Sequence, residues 1–108
     1  MQISLLYVTH PDKKHAETLS KKLIDEHLIA CANIFPIQSH YIWEGALADD
    51  DEYVSILKTH PQLVPKLRAR IAELHSYEVP CILSWQVEAN PSYAQWIVRC
   101  VQPALKSP

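Results

Sequence analysis

Glycine occurs once in this chain, at Gly45, and that scarcity alone excludes several functions. Loops that cradle phosphate need several glycines, because the backbone must approach the anion with no Cβ in the way. Walker and dinucleotide fingerprints are therefore ruled out. The RNA-recognition pattern, which interleaves glycines with aromatics, fails on the same count. Cysteine is sparse as well. Cys31, Cys81 and Cys100 stand far apart and form no C-x-x-C pair, so neither a zinc knuckle nor a dithiol redox site is supported. Neither sign of charge dominates, with ten basic residues against twelve acidic ones and a formal net charge of −2. Nucleic acid and anionic membranes call for a concentrated positive field, so neither is an expected partner. No apolar run approaches the ~18 residues of a membrane span. The opening Met1-Gln2-Ile3-Ser4 also lacks the basic stretch of a secretory leader. The expected compartment is the cytoplasm, with reduced thiols.

What the chain does have is apolar content: 48% of 108 residues, enough for one packed core and one domain, residues 1–108. Ile3 to Thr9 is short, apolar and aromatic, and reads as a buried strand. Pro11 suits a first helical position, with Thr9 or His10 as the cap. Ala16, Leu19, Leu23 and Ile24 then recur at helical spacing, predicting a helix to about Leu28. Ala30 to Gly45 is a long strand with a bend expected at Pro36, since proline cannot donate to a ladder. A turn around Asp49–Asp51 would lead to a partner strand, Glu52 to Thr59. A second helix follows Pro61, with Val64, Leu67, Ile71 and Leu74 facing inward. Cys81 to Glu88 is the fourth strand. Asn90-Pro91 opens a last helix with Tyr93, Trp96, Ile97, Cys100 and Val101 on one side, ended by Pro103.

The order predicts an α+β fold: a ferredoxin-like βαββαβ sandwich with a long hairpin and a C-terminal helix. Two helices cannot cover hairpin arms of this length. Long aromatic strands left bare are an aggregation hazard, so the overhang is expected to pair with sister copies in a closed ring. The plainer alternative is a hairpin tip that projects into solvent.

Several segments carry a resemblance. Ala30-Cys31-Ala32-Asn33-Ile34, then Ser39-His40-Tyr41-Ile42-Trp43-Glu44-Gly45, resemble the CutA, or divalent-cation tolerance, family. So do Ile56-Leu57-Lys58-Thr59 and His75-Ser76-Tyr77-Glu78-Val79-Pro80. Val8-Thr9-His10-Pro11-Asp12 is similar to that family's opening strand-to-helix junction, and Tyr93-Ala94-Gln95-Trp96-Ile97 to its final helix. The resemblance implies a ferredoxin-like subunit, a homotrimer built by the long hairpin, and tolerance to divalent metals, copper above all. Catalysis is not expected, because no nucleophile–base pair is adjacent in sequence.

Three departures stand out. Cys81 replaces the Glu that commonly follows the family's Tyr-x-x-Pro, and Ala89-Asn90 stands where Gly is usual. In family members credited with copper ligands, the set is one Cys and an adjacent His pair. Here those positions hold Val8, Leu74 and His75, so only His75 carries over.

His75 is therefore a candidate ligand for copper or another divalent metal, with Cys81 as a second donor. Their plainer roles are a helix-capping histidine and a buried, inert thiol. Cys31 and Cys100 read as small core residues. The six histidines show no H-x-x-x-H spacing, and most are expected to be exposed. The acidic run Asp49–Glu52 lacks the spacing of a calcium loop and reads as a solvated tip. Finally, Tyr41, Trp43, Glu44, Lys58, Tyr77 and Glu78 match family residues that gather near clefts between subunits. They would either hold a small anionic or metal-chelated ligand or simply pack the joint. The second functional expectation follows: a trimeric signalling or scaffold module that takes a small molecule or partner protein in those clefts.

Overall fold

A computed structural model describes residues 1–106. Strand β1 (Gln2–His10) leads to helix α1 (Lys13–Asp25), then to the paired strands β2 (Cys31–Trp43) and β3 (Ala46–Thr59). A 3-10 turn (Pro61–Leu63) precedes helix α2 (Val64–Leu74), strand β4 (Ile82–Glu88) and helix α3 (Pro91–Lys106). The four strands form one antiparallel sheet in the order β2-β3-β1-β4. The predicted ferredoxin-like α+β arrangement is what the chain adopts.

Alternation along the strands decides which face is covered. Leu6 and Val8 of β1 and Leu57 of β3 share one face, where Leu19, Leu23, Leu67 and Ile71 of α1 and α2 bury them. On the opposite face Ile3 packs under Ala94 and Ile97 of α3. Beyond α3 that second face is bare of helices. Phe35, Leu83 and Trp85 remain exposed there, and the β2–β3 ribbon extends the molecule to 44 Å along its longest axis.

Several boundaries differ from expectation, each for a physical reason. Asp12, not Thr9 or His10, caps α1: its carboxylate accepts the His15 amide at 2.7 Å. A carboxylate is a strong N-cap, and it leaves His10 as the last residue of β1. Helix α1 stops at Asp25 because Glu26, His27 and Leu28 form a Schellman turn, with Leu28 N–H donating to the Leu23 carbonyl at 3.0 Å. His27 takes the left-handed position, φ 60°, that glycine usually fills. Ile24 turns outward, 41% exposed.

The ribbon turns at Glu44-Gly45, not at the acidic run. Both residues have positive φ, 51° and 80°, as a two-residue type I′ hairpin requires. Asp49–Glu52 therefore lies within β3. The β2–β3 register also passes Pro36 without a slip, because β2 is an edge strand and one missing N–H can face away from the ladder. Helix α3 continues past Pro103 to Lys106, with Ala104 sealed in the core. Cys31 and Cys100 are half-buried rather than core residues.

Candidate functional site

The ends of three elements meet at one pole of the sheet. β1 rises to His10, and α1 starts at that same pole. β3 is antiparallel to β1, so α2 must climb back and end beside His10. Its C-cap is His75. Three imidazoles consequently gather: His10, His15 and His75, with ring centroids 4.7–5.5 Å apart. One nitrogen from each lies within 4.8 Å of the others.

Each ring is anchored from outside the cluster. His10 Nε2 and the Ser55 hydroxyl share a 2.7 Å hydrogen bond, and His15 Nε2 and the Ser76 hydroxyl share one of 3.2 Å. His75 Nε2–H donates to the Thr9 carbonyl at 2.8 Å. A carbonyl only accepts, so this bond sets the tautomer and leaves the lone pair on His75 Nδ1. That Nδ1 accepts the Tyr77 amide at 3.0 Å. His10 Nδ1 and His15 Nδ1 face one another at 2.9 Å and share one proton.

Burial pushes the His10 imidazole down to about 3, helped by His15 and His75 and opposed by Asp12. Burial and His75 lower His15 in the same direction, again against Asp12. His10 and His15 are thus both biased toward the neutral imidazole, the form that binds metals. The expectation that most histidines are exposed is corrected here: His10 is fully buried and His75 nearly so. Spacings of five and sixty residues carry no motif, so only the strand–helix topology could have revealed the cluster.

On the helix-free face, an open cleft of about 830 Å³ lies between the sheet and the α2–β4 connection. Four of the predicted ligand residues line it: Tyr41, Trp43, Tyr77 and Glu78. Cys81 lines it too, its thiol pushed up by burial and by Glu52. Cys81 is therefore not a member of the histidine group that includes His75. Two other predicted residues lie elsewhere. Glu44 is at the hairpin tip, and Lys58 points to α3, its Nζ donating to the Tyr93 hydroxyl at 3.3 Å and sitting 5.4 Å from that ring's centre.

Glu52, read from sequence as part of a solvated tip, is instead buried in the cleft wall. The Tyr77 hydroxyl donates to it at 2.5 Å, and burial with this bond pushes the phenol strongly upward. Tyr41 likewise donates to Asp50, and His40 pairs with Asp49 across the ribbon. Among the described residues no Lys or Arg lines the cleft, and its wall carries the carboxylates of Glu52 and Glu78. That wall would repel an anion and suits a cationic or neutral polar occupant.

The fold and the sequence have clear relatives. Residues 4–100 match the family described as CutA1 divalent ion tolerance protein. The divalent-cation tolerance protein CutA of Pyrococcus horikoshii is 42% identical over 95 residues, covering 87% of this chain and 93% of that protein. A solved structure from Archaeoglobus fulgidus, described as a periplasmic divalent cation tolerance protein, superposes with a TM-score of 0.88. It shares 34% identity and covers 92% of this chain and 98% of its own. The CutA1 structure from Ehrlichia chaffeensis gives the same TM-score at 40% identity, covering 92% and 94%.

Proposed function

The chain belongs to the CutA1 divalent ion tolerance family, and from that premise we propose that it serves metal tolerance as a homotrimer that binds divalent ions, copper above all. The observation that carries this reading is the convergence of three imidazoles at one pole of the sheet. Imidazole suits copper and zinc, and affinity among first-row divalent ions peaks at Cu(II). His75, the residue that the family resemblance singles out, is one of the three.

Self-association is supported by what the lone chain leaves bare. Both sheet edges, β2 and β4, are open, and Phe35, Leu83 and Trp85 are exposed on the helix-free face. Unpaired edges and an apolar sheet face invite copies of the same chain, and a closed ring satisfies every edge at once. The role is binding rather than catalysis, and the proposed compartment is the cytoplasm. Among the described residues no helix is long and apolar enough to cross a membrane.

A second reading is favoured by the cleft. Its aromatic wall and two carboxylates fit a sensor or scaffold that takes a small molecule or a partner segment there. A thermal-shift series with Cu(II), Zn(II) and a panel of metabolites separates the two, since a ligand stabilises the state that it binds. The metal reading expects Cu(II) to raise the melting temperature at low micromolar excess. Stabilisation by metabolites alone would favour the cleft instead.

A further inference from the structure

We propose that His10, His15 and His75 form a specific three-imidazole site for Cu(II) or Zn(II), with each Nδ1 as ligand and a fourth position open to water. The proposal rests on the divalent-metal reading above and names its site. Two of the three residues, His10 and His15, lie outside the ligand set that the family resemblance implies.

The case begins with the outer shell. Metal-bound histidines nearly always anchor their second nitrogen on a carbonyl, carboxylate or hydroxyl, which fixes the ring. All three rings already do so through Nε2: to Ser55, to Ser76 and to the Thr9 carbonyl. With Nε2 of each ring engaged, Nδ1 is the nitrogen that each ring has left for an ion. His10 and His15 present theirs to each other at 2.9 Å, which is hydrogen-bond distance. Ligands held about 2.0–2.1 Å from a tetrahedral ion lie slightly farther apart than that, so this pair needs to open only a little.

Admitting the ion requires two exchanges. The proton shared by His10 and His15 must leave Nδ1. It can do so by a tautomer change, moving to Nε2 of the same ring, where the Ser55 or Ser76 hydroxyl accepts it. The Tyr77 amide must release His75 Nδ1, at the cost of one hydrogen bond. His15 lies in the first turn of α1 and is only half-buried, so its side chain can complete the closure. The exposed flank beside it gives the ion a route of entry.

The test uses full-length, metal-stripped protein titrated with Cu(II) and Zn(II) against a competing chelator, with Co(II) as a spectroscopic probe. Wild type is expected to bind one ion per chain and to show a four-coordinate Co(II) spectrum. His15→Ala, at the most exposed of the three positions, should weaken binding at least tenfold and abolish that spectrum, with circular dichroism unchanged. Cys81→Ser and His40→Gln should bind like wild type. A Zn(II)-loaded crystal read at the zinc edge should give its anomalous peak between the three rings, which keeps the question decidable even if a variant misfolds. Unchanged affinity in His15→Ala, or a peak elsewhere, overturns the site while leaving the metal reading intact. No ion retained by wild type at low micromolar concentration overturns both.

Discussion

The Tyr77 hydroxyl donates a 2.5 Å hydrogen bond to Oε2 of Glu52, joining the α2–β4 connection to the wall of the central ribbon. Glu52 is only 8% exposed, and this is the side-chain bond that the structure gives its carboxylate. Tyr77→Phe removes the donor and leaves the acceptor buried without it. The expected cost is about 1–3 kcal/mol, read as a lower denaturation midpoint with an unchanged slope. A change below about 0.5 kcal/mol would mean that water or another group replaces the hydroxyl at no loss.

His27 occupies a left-handed backbone position at the end of α1, φ 60°, where a Cβ is strained. Its side chain is exposed, so little packing is lost on replacement. His27→Gly should stabilise the protein by about 0.5–1 kcal/mol, the relief of strain less the added freedom of glycine in the unfolded chain. Thermal unfolding checks this. A lower melting temperature would show that the Schellman turn does not control the end of the helix.

Arg70 of α2 grips Glu26 at the end of α1 through two hydrogen bonds, 2.8 Å from Nε and 2.7 Å from Nη2. The bond to Arg70 is the main reason that the Glu26 carboxyl lies below its usual value of 4.5, with burial opposing. A depressed carboxyl means that the unfolded chain binds more protons than the folded one in that window. The stabilisation is therefore full above about 4.5 and fades as pH falls through the folded value. Arg70→Ala should lower the melting temperature at pH 7 and converge with wild type in strong acid. A gap that stays constant with pH would locate the effect of Arg70 in packing instead.

Much of the architecture was legible because periodicity and burial agree. Leu19 and Leu23 of α1, Leu67 and Ile71 of α2, and Ile97 and Val101 of α3 all fall in the core as their spacing predicts. The turn was not, because four consecutive acids read as a loop. Along β3 they alternate instead, with Glu52 buried against Tyr77 and Asp49 paired with His40 on the other face. The single glycine was the better marker, since Gly45 sits where φ must be positive. The candidate site was half legible. Tyr41, Trp43, Tyr77 and Glu78 do share a cleft, whereas Lys58 is held by Tyr93 at the far end of the sheet. The histidine cluster was illegible by spacing, because its members come from a strand end, a helix start and a helix end that only the folded topology unites.

The proposed self-association requires sister chains to cover the open edges and bare face of the sheet. Size-exclusion chromatography with light scattering at micromolar concentration measures this directly. The predicted result is one peak at the mass of three 12.4 kDa chains, unchanged on dilution through the micromolar range. A peak at the mass of a single chain would contradict it, because Phe35, Leu83 and Trp85 would then face water with no partner to bury them.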